Sequence, residues 1–255
     1  MATTSTSNPI PQLAPGQVRK RNVFDILEMF DADNAPGTGK NILIRVDFNV
    51  PMTATQEITD DSRIKGALPT IAAVLKAKHN CILMSHMGRP KQVQSATDAD
   101  GSERASLSLT HVVDRLSELT STKVQFVNDC IGPDVKDAVS KLPATGGAIL
   151  LLENLRFYKQ EEKNDPVFGG QLASIADAYV NDAFGTCHRA HASVSGVPAL
   201  LSPKQCGVGC LVASEVAYLD FTGLGPDDKI AAGEYLSIHC WVVLSPILYG
   251  CISHS

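Results

Sequence analysis

One rhythm constrains this chain more than any other feature. Between about residues 41 and 220, short apolar, β-favouring runs alternate with longer stretches of helical periodicity. The runs are 41–47 (NILIRVD), 80–84 (NCILM), 123–127 (KVQFV), 148–152 (AILLL) and 177–181 (DAYVN). Between them lie 69–78, 107–120, 133–142 and 166–176, which read as helices. In the second of these, Leu109, Val112, Val113, Leu116 and Leu119 share one face at 3/4 spacing. Helix starts are marked chemically. Asp165-Pro166 supplies an N-cap and then Pro in the first turn, Gly132-Pro133-Asp134 opens another helix, and Pro69 is expected to open a third. Strands of about five residues that are apolar on both faces, separated by helices, form βαβ units. The expected class is α/β, a three-layer sandwich around a mainly parallel sheet.

Composition removes several function classes. Hydrophobic residues make up 44% of the 255 and charged residues 19%, enough for a real core. The net charge of −5 opposes nucleic-acid binding, which needs a positive field. No uncharged apolar run reaches the roughly 18–20 residues that span a bilayer, so no membrane role is expected. Seven Cys without framework spacing, and no secretory leader pattern, read as free thiols in a reducing compartment. Residues 1–22 contain no acid and are rich in Ser, Thr and Pro; they read as a flexible or targeting segment before a domain over 23–220. Residues 221–255 break the rhythm. After Lys229 there is no Lys or Arg, Glu234 is the one acid, and Trp241 is the chain's single Trp. No physical role follows from that tail.

In an open parallel sheet, ligands bind beyond the carboxyl ends of the strands. The residues just past each expected strand are therefore the place to look. Asp47 to Pro51 follow the first, Ser85-His86-Met87-Gly88-Arg89-Pro90 the second, Glu153 to Phe157 the fourth, and Asn181 to Arg189 the fifth. The chain has nine Arg, and Arg89, Arg156 and Arg189 all fall on this edge; Arg63, after Asp60-Asp61, opens the first crossover beside it. Any one of them is adequately explained as the partner of a nearby acid, with Asp60, Asp61, Glu153 and Asp182 close in sequence. Several together, beside His86 and Asn49, favour an anionic small-molecule site. Each charge-assisted bond to an anion is worth about 1.5–3 kcal/mol, and the planar Arg fork matches two phosphate oxygens at once. His86 and His188 have the chemistry of general acid–base groups, but an anion site of this kind works mainly by positioning and charge stabilisation. A neutral His giving one hydrogen bond is the favoured role for both. Asp47 is expected to orient a neighbouring Arg or accept a substrate hydroxyl.

Three other signals fail. Gly37-Thr38-Gly39-Lys40 resembles the end of a phosphate loop, but Asn34 and Asn41 stand where Gly and Ser or Thr are required, and it precedes a strand. Gly207-Val208-Gly209 lacks the third glycine of a dinucleotide fingerprint and reads as a tight turn. Cys187, His188, His191, Cys206 and Cys210 match no zinc spacing closely, and no metal is assigned.

Six segments then occur in one order: RVDFNVP (45–51), ITDDSRI (58–64), LMSHMGRPK (83–91), LLLENLRF (150–157), EEKNDP (161–166) and NDAFGTCHRAHAS (181–193). In order and spacing they resemble the phosphoglycerate kinase family, over about 41–219. The resemblance implies the Rossmann-like amino-terminal domain of a normally two-domain enzyme. That enzyme exchanges a phosphoryl group between 1,3-bisphosphoglycerate and ADP to give 3-phosphoglycerate and ATP. Motif by motif it implies that Asp47, Asn49, His86, Arg89, Arg156, His188 and Arg189 contact 3-phosphoglycerate. Arg63 becomes the group that binds substrate and stabilises the transferring phosphoryl. The family's Mg2+ and ATP or ADP sit on the second domain, whose Gly-rich nucleotide loop is not found here; Asp227-Asp228-Lys229-Ile230 is at most a faint echo. No nucleotide is therefore expected to bind this chain tightly, and a monomer holding the triose-acid half, inactive alone, is the expected state. A truncated product, a frameshifted or mis-spliced gene and a short isoform all produce this pattern. The alternative reading is a non-catalytic domain that binds the phospho-acid or a partner protein. The expected compartment is the cytoplasm, or a plastid if residues 1–22 act as a targeting segment.

Overall fold

The computed structural model describes residues 20–33, 37–90 and 101–218. Most of the amino-terminal segment and the whole of the 221–255 tail lie outside the described residues. Six strands are β1 Asn41–Val46, β2 Asn80–Met84, β3 Val124–Phe126, β4 Ile149–Leu151, β5 Ala178–Asp182 and β6 Cys206–Val208. They form one sheet in the order β3-β4-β2-β1-β5-β6, and every pairing is parallel. The chain builds outward from β1 on one side, then returns to build on the other. β1 is thus flanked by β2 and β5, and the crevice beyond its carboxyl end is the switch point of the sheet.

Period-two alternation sorts the core into two faces. Ile42, Ile44 and Val46 of β1 face a cluster that includes Ile26 and Phe30 of helix α1 (Val23–Asp33), Ile64 and Ile71 of α2 (Ser62–Lys76), and Val112 and Leu116 of α4 (Thr110–Thr120). Leu43 faces the other cluster, with Val135 of α5 (Pro133–Ser140), Phe168 and Leu172 of α7 (Pro166–Ala173), and Val197 of α8 (Val197–Leu200). The remaining helices are α3 (Gly101–Leu107), α6 (Lys159–Glu162) and α9 (Cys210–Tyr218). This is the expected three-layer α/β sandwich. Two helix starts fall where sequence chemistry put them. The Asp165 carboxylate accepts from the N–H groups of Val167 and Phe168, and Gly132 takes φ +94° directly before Pro133.

Elsewhere long-range packing corrects the sequence reading. Pro69 does not open a helix: α2 begins at Ser62, where the Ser62 N–H meets Asp60 Oδ1 at 2.8 Å, and runs through the proline. An interior Pro costs about 3 kcal/mol. The buried face of Ile64, Ala67, Thr70, Ile71 and Val74 outweighs it. The expected 107–120 helix is broken at Ser108-Leu109. There the buried Glu153 carboxylate accepts from Ser108 Oγ at 2.8 Å and Leu109 N at 2.9 Å. Gly207-Val208 are not a turn but part of the edge strand β6, and α1 was not foreseen at all. Both follow from one contact: the Val208 N–H donates to the Arg21 carbonyl at 3.0 Å, and Asn22 bridges to Val208, so α1 enters along β6.

Candidate functional site

The loops beyond β1, β2 and β4 are stitched to one another by side chains. Asn154, fully buried, accepts from the N–H groups of Met87 (3.1 Å) and Arg156 (3.0 Å) and donates to the carbonyls of Met87 (2.8 Å) and Leu107 (2.9 Å). Its amide is fully used. Asn49 Oδ1 accepts from the Gly88 N–H at 2.8 Å, and Arg156 Nη1 donates to the Gly88 carbonyl at 2.7 Å. Gly88 has φ +58°, and a Cβ there would meet Leu107 Cδ2 at 2.6 Å, so a side chain here would need Leu107 to move. The order in which these loops follow their strands is set by sequence; their mutual fit is set by these amide contacts.

Onto this frame the fold brings three of the four expected guanidinium groups, those of Arg63, Arg156 and Arg189. Arg63, at the start of α2, donates to Asp47 Oδ2 at 2.6 Å, so Asp47 does orient a neighbouring arginine. Arg156 is buried, with Glu162 at 3.6 Å from its Nε. Burial lowers its basicity, and Arg189 and Arg45 lower it further against the pull of Glu162. Arg189 Nε donates to His188 Nε2 at 3.1 Å. Arg89 is exposed on the loop after β2. The acids nearest in sequence are engaged elsewhere. Asp60 takes the Ser62 N–H, Asp61 pairs with Lys65 (2.8 Å) and Arg115 (2.7 Å), and Glu153 caps α4. Arg63 and Arg156 thus keep one acid each, Asp47 and Glu162, while Asp60, Asp61 and Glu153 are not available to the strand-end arginines. The strand-end crevice carries a concentrated positive field.

The histidines in that field are held neutral. Burial first, then Arg45, Arg156 and Arg63, push His86 far below the usual imidazole range. His191 is pushed down to about 4 by burial and by Arg156, Arg45 and Arg189. His188 is lowered by burial and Arg189. Neutral imidazoles that give or take one hydrogen bond fit this site; imidazolium acids do not.

Four members of the cluster were not singled out from sequence as part of it: Arg45, Glu161, His191 and Ser193. Arg45 is 1% exposed, on β1 facing the same side as Leu43. Its Nε donates to Ser193 Oγ (3.0 Å), its Nη2 to His86 Nδ1 (3.0 Å), and its Nη1 to the Val46 carbonyl. The signal available was a lone charge inside an apolar strand, in ILIRV, which is costly unless paired.

The carboxyl end of β5 does a different job. Asp182 Oδ1 accepts from the N–H groups of Leu211 (2.9 Å) and Val212 (3.3 Å), and Thr70 Oγ1 from that of Cys210 (2.7 Å). A Cβ at Gly209 would lie 2.2 Å from Asp182 Cγ. The amino end of α9 is therefore closed by protein groups. Burial raises the Asp182 carboxyl to about 6, against the hydrogen bonds from Thr70, Val212 and Leu211. Between about pH 4 and 6 the folded chain holds a proton here that the unfolded chain has released, so this group's contribution to stability falls as pH rises. Asn cannot titrate yet keeps the acceptor. Asp182→Asn should gain about 3 kcal/mol relative to the parent between pH 4 and 6.5, and nothing further above pH 7. Urea unfolding across that range checks it; a constant difference would refute the assignment.

Among the described residues no group of three or more His, Cys, Asp or Glu is placed to hold a metal ion. Cys206 and Cys210 are buried, on β6 and at the start of α9.

Comparison with known proteins agrees with this geometry. The profile of the family described as phosphoglycerate kinase matches residues 32–231. A Synechococcus phosphoglycerate kinase is 47% identical over 194 residues, covering 76% of this chain and 46% of its own length. The Arabidopsis thaliana protein named phosphoglycerate kinase 1, chloroplastic, is 48% identical over 202 residues, which are 79% of this chain and 39% of the relative. The cytosolic enzyme of Nicotiana tabacum is 47% identical, with 76% and 45% covered. Among solved structures, phosphoglycerate kinase from Coxiella burnetii superposes with a TM-score of 0.59 at 34% identity, over 73% of this chain and 43% of that one. The Pyrococcus horikoshii enzyme gives 0.62 at 26% identity, over 76% and 46%. The chain spans less than half the length of these relatives. With the profile covering most of its residues and the strand-end arginines in place, the chain belongs to the phosphoglycerate kinase family.

Proposed function

We propose that this chain carries the triose-acid site of the phosphoglycerate kinase reaction, binding 3-phosphoglycerate or 1,3-bisphosphoglycerate at the carboxyl ends of β1, β2, β4 and β5. The observation that supports this best is Arg156, buried in the field of Arg45 and Arg189, with Glu162 at 3.6 Å and Glu161 as the second acid that acts on it. Such a group gains most from a dianionic ligand, because the bonds are charge-assisted and largely desolvated. Arg189, His86 and His188 lie in the same field, and Arg89 is exposed on the loop after β2. Asn49 is committed through its oxygen to Gly88, so it offers ligand its amide N–H groups. Arg63 has a different task. Its side chain is 48% exposed and held by one contact to Asp47, which suits a group that swings onto a transferring phosphoryl.

The described residues do not fit the Mg2+–nucleotide that the family uses. No metal-holding group is present among them, the N–H groups of α9 are taken by Asp182 and Thr70, and Gly39 packs against Gly146 and Lys78 ahead of β1. Only the triose-acid half of the chemistry is assigned here. Isothermal titration of the chain with 3-phosphoglycerate and with Mg–ADP, beside a coupled turnover assay, tests this. The expected result is heat from the acid alone and no turnover. Absence of acid binding, or micromolar Mg–ADP binding, would overturn it. The compartment follows residues 1–22: a fluorescent fusion staying in the cytoplasm gives the cytoplasmic reading, and plastid import gives the other.

A further inference from the structure

Behind the site runs a chain of hydrogen bonds whose every direction is fixed by chemistry. Glu161, on α6, is 1% exposed and Ser193 is fully buried. Glu161 Oε2 accepts from the Ser193 N–H at 2.9 Å and Oε1 from the Ser193 hydroxyl at 2.5 Å. The same hydroxyl oxygen accepts from Arg45 Nε at 3.0 Å. A guanidinium can only donate, so the Ser193 oxygen accepts from Arg45 and its own proton is directed at its other partner, Glu161. At the other end Arg45 Nη2 lies 3.0 Å from His86 Nδ1. Since Arg45 donates, Nδ1 must be the bare nitrogen, and the imidazole proton resides on Nε2. Ser193 is pinned a second way: the Tyr179 hydroxyl donates to its carbonyl at 2.9 Å, within the π-helical turn Ala192–Gly196. Single π-turns of this kind concentrate at functional sites.

We propose that Glu161 and Ser193 are positioning residues that act through Arg45 to fix His86 as its Nε2–H tautomer, so that the site presents the phospho-acid with a donor and not an acceptor. The inference rests on the phospho-acid reading for the ligand, but not for the tautomer. Glu161 and Ser193 are too deeply buried to touch a substrate themselves. Glu161 does two things. It orients the Ser193 hydroxyl, leaving that oxygen's lone pairs for Arg45 Nε. It also supplies the anion that lets a guanidinium sit buried on β1. Without the hydroxyl between them, the Arg45 fork is drawn toward the Glu161 carboxylate and away from His86 Nδ1. With Gln at 161, the Ser193 hydroxyl proton meets an amide N–H and the hydroxyl turns, loosening its hold on Arg45. Either change frees His86 to carry its proton on Nδ1, and the mismatched ring then turns an acceptor to the ligand's oxygens.

The test is the two-bond 1H–15N spectrum of the histidines in the full 255-residue chain without ligand, with His86 assigned by its loss in His86→Asn. The parent should show the Nε2–H pattern for His86. Ser193→Ala and Glu161→Gln should each move it to a mixture with the Nδ1–H form, and should weaken 3-phosphoglycerate binding roughly tenfold, the scale of one hydrogen bond to a charged group. Ser193→Ala, the smaller change, decides the matter if Glu161→Gln does not fold. A parent His86 in the Nδ1–H form overturns the proposal. So does weaker binding with an unchanged tautomer in both variants. Failure of the parent to bind 3-phosphoglycerate would fall on the functional reading alone, because the tautomer is read without ligand.

Discussion

Arg156→Met is expected to weaken 3-phosphoglycerate binding by about 100-fold or more. The side chain is 6% exposed, so its contacts to an anion form where water screens little. Two charge-assisted bonds at about 1.5–3 kcal/mol each set the scale, and 1.4 kcal/mol is a factor of ten. The substitution also removes the donor to the Gly88 carbonyl and so loosens the loop that carries His86. Met keeps most of the apolar stem, which separates lost charge from lost packing. Arg63→Ala is the internal contrast. Arg63 is half exposed and its ion pair with Asp47 is worth little in the unliganded chain, so the dissociation constant should move less than about threefold. Calorimetry on both variants at low salt makes the comparison. Equal losses would remove the distinction between a ground-state anchor and a group reserved for the moving phosphoryl. An unchanged constant in Arg156→Met would mean that the anion site is elsewhere.

Arg45→Met should cost about 3–5 kcal/mol of stability, because it breaks a buried ionic network by removing one partner. Three acceptors lose their donor at once: the Val46 carbonyl, Ser193 Oγ and His86 Nδ1. Glu161 is then left buried without its cation. Burial already raises the Glu161 carboxyl above its usual range, and Arg45 opposes that rise most strongly. The double variant Arg45→Met with Glu161→Gln should therefore cost less than the sum of the two single changes. Denaturant unfolding reports this as a drop in midpoint with an unchanged slope. A strictly additive pair would show that Arg45 and Glu161 do not sense each other, and the relay to His86 would lose its electrostatic basis.

These two arginines also mark the boundary between what was legible in the sequence and what was not. Arg156 is singled out by sequence because it follows β4, and the position of ligand sites beyond strand ends is a general property of parallel sheets. The same rule singles out Arg89, Arg189, His86 and His188. Arg45 lies inside β1, where the same rule directs attention away from it. Sequence marks Asn49 as a ligand contact by the same rule, and it does not reveal that the Asn49 oxygen also holds the Gly88 loop.

The amino-acid sequence by itself determined strands β1 to β5, their parallel sense, the starts of α5 and α7, and the strand-end edge at which the ligand site is proposed. All of these depend on local periodicity and on capping groups within a few residues, where neighbours along the chain suffice. Tertiary structure alone decided the rest. β6 is three residues long and includes a glycine; it is a strand because β5 and Arg21 supply its hydrogen-bond partners. α2 runs through Pro69 because its buried face is fixed against the sheet and α9. α4 starts at Thr110 because Glu153 caps it from 44 residues away, and Arg45 is tolerable on β1 because Ser193 reaches it from 148 residues away. The physical reason is the same throughout. Local preference carries about 1 kcal/mol per residue or less, whereas a buried polar group left unpaired costs 1–3 kcal/mol, so the distant partner, which local sequence does not reveal, sets the outcome.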